Sequence, residues 1–293
     1  MASTQPRWIF VSLALLMLDL YAYAWTDIKA DFGSYADIVK PSPIIETLKE
    51  EQRAGKLGRL YEFRPENERF PVLPSFNMIY GFEDIGFYSP LVLSRYYETV
   101  GQFGNVNDSN FATTPDSRFV LERLPLLNSL DVSHILSQEP LEHPNLVLIK
   151  EDAASKTLLY RNNAPHTRAF FVSAIQVFDV WMELKTRLME AGFDPQKVIL
   201  LERGEFQKIE WVPTAGAASS KNRRIFVSET EERWEVEIDQ PGFFVIMQTY
   251  YPGWEVLLDD KPSPLLAAYG LFQPVWIEKP GRHRLRFHYH LFA

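Results

Sequence analysis

Residues 243 to 260 read Phe-Phe-Val-Ile-Met-Gln-Thr-Tyr-Tyr-Pro-Gly-Trp-Glu-Val-Leu-Leu-Asp-Asp. An apolar run enters the Pro252-Gly253 corner and leaves after Trp254 as a second short strand. Proline presets φ for a turn, and glycine accepts backbone conformations that other residues resist. The Asp259-Asp260 pair then breaks the second strand. This stretch predicts two strands whose apolar sides need a facing sheet.

Alternating apolar and charged residues on both sides of this stretch predict the strands that would cover it. Residues 234 to 238 alternate Trp, Val and Ile with glutamates, as in a half-buried strand. Residues 284 to 290 place Leu, Phe and Tyr on one face and arginines and histidines on the other. Short alternating strands at this spacing are typical of a β-sandwich. We therefore predict an antiparallel β-sandwich domain over residues 206–293.

The region from residue 26 to residue 205 has a different pattern. Helical patterns, such as residues 119–130 and 177–191, alternate with short apolar runs such as Ala169 to Ile175. Strands that alternate with helices indicate a mixed α/β layer domain. The predicted fold class is thus α+β, with one N-terminal transmembrane helix over residues 1–25, a mixed α/β domain and the C-terminal β-sandwich.

Composition excludes several function classes. The chain has 293 residues, a formal net charge of -8 and no cysteine. Nucleic-acid-binding domains carry clustered positive charge, so no nucleic-acid partner is predicted. Without cysteine, disulfide frameworks and thiolate metal sites are also excluded.

The N-terminal segment from Trp8 to Trp25 is apolar except for Ser12, Asp19 and the tyrosines. Eighteen helical residues rise about 27 Å, close to the roughly 30 Å hydrocarbon core of a bilayer. The single cation before it, Arg7, favours an N-terminus inside the cell, which leaves the bulk of the chain outside the cytoplasm. The alternative is a signal peptide cleaved after Ala22-Tyr23-Ala24, which also places the bulk outside.

The C-terminal motifs resemble a known family. They are the Tyr250 to Trp254 block, the strand that ends at Asp259, and the Pro280 to His283 turn before a strand that ends at Tyr289. Together they resemble the C-terminal extracytoplasmic region of the YfhO family, which are bacterial polytopic membrane proteins of the GT-C glycosyltransferase superfamily. Further similar segments lie at Asp19-Leu20, Gly58 to Leu60, Asn77, Gly81, Gly86 to Leu91, Arg95-Tyr96, Asn163 to Phe170 and Asp194-Pro195.

The resemblance implies an accessory role. The chain lacks the membrane core of about a dozen helices that the family carries, and with it the acidic residue expected to act in catalysis, so no catalytic residue is assigned. We expect a single-pass protein of the bacterial cytoplasmic membrane, a fragment or split half that is inactive alone. Its partner would be a polytopic glycosyltransferase subunit that acts on polyprenyl-phosphate-linked sugars in cell-envelope glycosylation. The alternative is an independent extracytoplasmic carbohydrate-binding or adhesion protein.

Aromatic residues supply the candidate glycan site. The aromatic rings that could stack against sugars are those of Tyr250, Tyr251, Trp254, Tyr269 and Trp276. Aromatic faces suit the C–H faces of sugars, but the same residues also dominate the cores of small domains, and the core interpretation is favoured here.

Two further candidates have weaker support. His288 and His290 share one face of a strand and could bind a metal, but the sequence shows no third ligand, so a solvated strand face is favoured. The Asp259-Asp260 pair fits a turn better than a cation site. No metal and no cofactor are predicted.

Overall fold

In the computed structural model of the chain, the described residues are 8–26, 42–63, 77–86, 93–103, 117–164, 167–210 and 219–290. The chain divides into two compact units, Met1–Ser42 and Pro43–Ala293. In the first unit, helix α1 (Trp8–Thr26) has 19 residues. Among the family-like segments, residues 87–91 and 165–166 lie outside the described residues.

The predicted transmembrane helix over residues 8–25 is wrong. Across the described residues, no helix combines the length and the apolar character that crossing a membrane requires. The single-pass placement in the bacterial cytoplasmic membrane is wrong for the same reason. Helix α1 is long enough, but Ser12, Asp19 and Tyr21 reduce its apolar character. An aspartate near a helix centre costs about 2.5–3.5 kcal/mol on insertion.

The second unit is built mainly from strands. The described strands are β1 (Arg59–Phe63), β2 (Val132–Ser137), β3 (Leu146–Asp152), β4 (Thr157–Asn162), β5 (Ala169–Val172), β6 (Ile175–Phe178), β7 (Ile199–Glu202), β8 (Ser220–Val227), β9 (Glu231–Ile238), β10 (Gly242–Thr249), β11 (Trp254–Leu258), β12 (Lys261–Ser263), β13 (Phe272–Ile277) and β14 (Gly281–Tyr289). The described helices of this unit are α2 (Pro43–Arg53), α3 (Asn77–Tyr80), α4 (Ser94–Thr99) followed by a 3-10 turn (Val100–Phe103), α5 (Ser117–Glu122), α6 (Leu124–Ser129), α7 (Trp181–Leu188) and α8 (Arg203–Phe206).

The C-terminal strands form a five-stranded sheet of order β12-β11-β14-β9-β8. Each neighbouring pair is antiparallel, and Trp254 lies opposite Tyr289. Asp259 and Asp260 both have positive φ and close a two-residue turn between β11 and β12, a conformation that aspartate tolerates better than most residues. One face of this sheet is apolar and the other is charged, as its alternating sequence requires.

A three-stranded antiparallel sheet of order β13-β10-β5 faces the apolar side. Between the two sheets lies a buried cluster in which the rings of Trp234 and Phe244 meet edge to face at 5.4 Å. Strand β5 precedes residue 205 and β10 follows it. The sheet therefore takes strands from both sides of the predicted domain boundary between residues 205 and 206.

The remaining strands form a four-stranded sheet of order β1-β2-β4-β3 and a parallel β6-β7 pair. The longest described helix of the second unit, α2, has 11 residues, and the others are shorter. Pro125 breaks the helix predicted over 119–130 into α5 and α6, because proline is tolerated only in a first helical turn. The predicted α+β class with a membrane helix is therefore wrong: the described chain is mostly strands in several sheets, with few helices.

Candidate functional site

Two of the five predicted sugar-stacking residues pack in or against the hydrophobic core. The Tyr269 side chain is fully buried, and its hydroxyl donates to the Pro195 carbonyl at 2.7 Å. Burial raises the pKa of Tyr269 well above its usual value. Trp276 is partly buried and packs against Phe243 with a ring-centroid distance of 4.9 Å. These two aromatic rings serve the core in this structure.

The other three lie where β10 leads into β11. Tyr250 donates its backbone N–H to the Leu271 carbonyl at 2.6 Å, which extends the pairing of β10 with β13 by one residue. Tyr251 is 49% exposed, and Trp254 is partly buried against the cluster between the sheets. Of the five predicted residues, the structure therefore buries Tyr269 and exposes Tyr251, and it leaves the other three partly buried.

Tyr289 packs beside Tyr251 and Trp254, although the sequence placed it only on an apolar strand face. Its ring centroid lies 5.3 Å from that of Trp254 and 6.4 Å from that of Tyr251. We call Tyr251, Trp254 and Tyr289 the aromatic edge. The signal that could have found Tyr289 is its position at the end of a strand that must pair with β11.

Gly253 allows the turn between β10 and β11 to pack closely against Tyr289 and His290. Its φ is +103°, and a Cβ there would lie 3.0 Å from both the Tyr289 ring and the His290 carbonyl. The Gly253 carbonyl accepts the His290 backbone N–H at 2.9 Å, which fixes the turn to the end of β14. Glycine is required here because a side chain would collide with the residues that the turn packs against.

Polar groups flank the aromatic edge on the charged side of the sheet. His290 Nε2 lies 3.1 Å from a Glu255 carboxylate oxygen, and His288 Nδ1 lies 3.6 Å from Glu231. The two imidazole rings meet at right angles, 4.6 Å apart. Within the described ranges, no group of three or more His, Cys, Asp or Glu side chains is placed to hold a metal ion. These side chains can instead exchange hydrogen bonds with a polar ligand.

A second feature occupies the other end of the same sheet face. A cavity of about 440 Å³, here called the charged cleft, is lined by Lys221, Asn222, Arg223, Glu235, Val236, Glu237, Asp259, Arg282, His283 and Arg284. Glu235 lies 2.8 Å from Arg223 and 3.8 Å from Arg284. Hydrogen bonding from Arg223, supported by its positive charge, lowers the pKa of Glu235. Arg282 lies 3.2 Å from Glu237.

His283 closes one side of the charged cleft. Its Nδ1 lies 2.7 Å from Asp259 and its Nε2 lies 2.7 Å from the Lys279 carbonyl. These two contacts fix the position of the imidazole at the side of the cleft. Burial opposes ionisation of Asp259, but hydrogen bonds from the Arg284 backbone N–H and from His283 outweigh it and lower the pKa of Asp259.

Two of the family-like segments meet at a separate ion-pair network. Arg168 donates to both carboxylate oxygens of Glu83, at 2.7 and 2.8 Å, and Arg59 reaches the same carboxylate at 3.4 Å. Burial opposes the charged form of Glu83, but hydrogen bonds and attraction from Arg168, together with Arg59, lower its pKa. Sequence reasoning identified Arg59 and Arg168 separately and did not bring them together.

Arg59 has an architectural role in this network. Its Nη1 donates to the Leu130 carbonyl at 3.3 Å and to the Met247 carbonyl at 2.9 Å. Burial lowers the pKa of Arg59. The Arg59 guanidinium therefore links the end of α6 to the three-stranded sheet. This structural role explains the ion-pair network without a ligand.

Comparisons with protein families, with characterised proteins and with solved structures find no match for this chain.

Proposed function

We propose that the chain is a glycan-binding module that serves a YfhO-like glycosyltransferase as an accessory. The observation that supports this best is the aromatic edge, where an exposed Tyr251 ring is braced by Tyr289 and lies beside Trp254. In this proposal the catalytic group belongs to a polytopic partner subunit that acts on polyprenyl-phosphate-linked sugars. The accessory assignment comes from the sequence resemblance, and the site comes from the geometry.

The aromatic edge has the two properties that sugar recognition needs. Tyr251 offers a partly exposed aromatic face, on which the C–H face of a pyranose can stack. Glu255 follows Trp254 in the chain and His290 follows Tyr289, and their paired side chains offer an acceptor and an imidazole for hydroxyl groups. The Tyr289 ring contacts the Tyr251 ring, and the Tyr251 carbonyl accepts the Trp254 backbone N–H at 3.3 Å. The stacking face is thus positioned before a ligand binds, which reduces the entropy cost of binding.

Binding assays on variants test the proposal directly. Purified chain is titrated with neutral cell-envelope oligosaccharides, and tryptophan fluorescence and calorimetry report binding. Removing an aromatic side chain from under a stacked base typically costs about 1–3 kcal/mol, and by the same physics Tyr251→Ala should weaken sugar binding by about fivefold or more. Phe226→Ala is the matched control, because Phe226 is 45% exposed on the opposite edge strand of the same sheet.

The results separate the alternatives. Equal affinity of Tyr251→Ala and Phe226→Ala would refute the aromatic edge as the site. An independent carbohydrate-binding or adhesion protein remains the second candidate function, because the same edge would serve it. The neighbouring reading frame distinguishes the two: an adjacent gene for a protein with about ten membrane helices favours the accessory role, and its absence favours independence.

A further inference from the structure

We propose that the charged cleft binds an anionic group, a phosphate or carboxylate. The anion site stands on the cleft alone and goes beyond the proposed function. The cavity of about 440 Å³ falls in the range of small-molecule sites, which is about 300–1,000 Å³.

The charged cleft has more cationic than anionic side chains, whereas the chain as a whole is acidic. Side chains around the charged cleft include the four cations Lys221, Arg223, Arg282 and Arg284, against the three carboxylates Glu235, Glu237 and Asp259. The chain as a whole has a formal net charge of -8. A positive cleft in an acidic protein concentrates anions at that point of its surface.

The arginines of the cleft have donors to spare. Glu235 is shared by Arg223 and Arg284, and only the contact with Arg223 is at hydrogen-bond distance. Each guanidinium carries five N–H donors in a planar fork, which suits the paired oxygens of a carboxylate or phosphate. Glu235 thus acts as an internal counter-ion, and an incoming anion can bind the guanidinium N–H groups that Glu235 does not use.

The cleft is a site separate from the aromatic edge. Arg284 and Tyr289 lie on the same strand, and five residues of strand span about 17 Å. Their side chains point to opposite faces of the sheet, because successive side chains of a strand alternate. The cleft therefore binds its anion independently of the aromatic edge.

Titrations with simple anions test the cleft without any glycan. The full chain is titrated with inorganic phosphate, with glucuronate and with neutral glucose, and backbone amide chemical shifts locate the binding. Loss of two charge-assisted contacts in the Arg223→Gln/Arg282→Gln double variant should weaken anion binding by about tenfold or more. Arg187→Gln/Arg203→Gln is the control, because these arginines also pair with carboxylates, of Glu190 and Asp179, outside the cleft.

The Glu235→Gln variant provides a second test of anion binding at the charged cleft. Removing the internal counter-ion frees two guanidinium groups, so this variant should bind the anions several-fold more tightly, whereas a merely structural ion pair predicts no gain. Preference for phosphate or for glucuronate identifies the chemical source of the charge. The proposal is overturned if cleft and control variants bind alike, or if Glu235→Gln gains nothing.

The Tyr251→Ala variant separates this inference from the proposed function. We expect it to lose neutral oligosaccharides and to keep phosphate binding. Oligosaccharide binding at the aromatic edge without anion binding at the cleft would overturn only the anion site. Anion binding without oligosaccharide binding would overturn only the glycan function.

Discussion

Glu51→Gln should destabilise the second unit, because Glu51 carries a buried ion pair between α2 and the four-stranded sheet. Its carboxylate oxygens accept from Arg161 at 2.5 and 2.9 Å, and the fully buried His134 lies 3.3 Å away. The Glu51 side chain is only 12% exposed. Glutamine keeps the shape of the side chain but removes the charge that compensates Arg161.

The expected magnitude follows from burial. Breaking a fully buried ion pair costs about 3–5 kcal/mol. Arg161 remains 31% exposed and can recover part of its hydration, so we expect the cost to fall to about 2–3 kcal/mol. For a unit of this size each kcal/mol lowers Tm by about 2–4 °C, so the melting temperature should fall by roughly 5–10 °C.

The pH dependence gives an independent check. Burial opposes the charged form of Glu51, but hydrogen bonding and attraction from Arg161, together with His134, outweigh it and lower its pKa. A depressed carboxylate pKa stabilises the fold above the unfolded value of about 4.3, and the contribution is lost as pH falls through the folded pKa. The difference in stability between wild type and Glu51→Gln should therefore be full at pH 7 and shrink below about pH 4.

Thermal melts followed by circular dichroism at pH 7 and at pH 3 measure both effects. Glu50→Gln is the control, since Glu50 is the adjacent residue on the same helix and is exposed. Equal melting temperatures for the Glu51 and Glu50 variants at pH 7 would refute the reasoning. A Glu51 deficit that does not change with pH would show that the loss comes from packing rather than charge.

Three further predictions concern the aromatic core, the cleft and the reaction. Tyr269→Phe removes the buried hydroxyl that donates to the Pro195 carbonyl, so the free energy of unfolding in denaturant should fall by about 1–2 kcal/mol. Glycan binding should stay unchanged. Lost binding with unchanged stability would contradict the core position of Tyr269. Asp259→Asn should lower stability at neutral pH, because the fold stabilises the ionised form of Asp259. The difference in stability between wild type and variant should vanish as pH falls through the depressed pKa of Asp259. Thermal melts across pH 3–7 check this, and a deficit of the variant that grows in acid would contradict the prediction. The purified chain should transfer no sugar from a lipid-linked donor until a polytopic partner is added, and turnover by the chain alone would overturn the accessory role.

Local patterns identified individual strands well. Alternation of apolar and charged residues over 234–238 and 284–290 coincides with β9 and β14, because the two-residue period of a strand is a property of the backbone itself. The turn at Asp259-Asp260 was likewise readable, since the conformations it needs suit only a few residue types.

The candidate site was only partly readable. Tyr251 and Tyr269 are the same residue type in the same aromatic-rich region, yet one is 49% exposed and the other is fully buried. Their difference depends on which chain segments lie over them, including Pro195, whose carbonyl receives the Tyr269 hydroxyl. Burial is set by the whole fold, so composition alone could not separate a sugar face from a core residue.

Short-range chemistry was therefore enough to place many strands and turns, whereas their partners depended on contacts between distant segments. Strand β5 pairs with β10 across about 70 residues of chain, and no local period encodes that choice. The charged cleft likewise assembles from β8, β9 and β14, and the Glu83 network joins residues 59, 83 and 168. Such contacts form because buried apolar faces must be covered and buried charges must be paired, and these requirements are met only when the whole chain has folded.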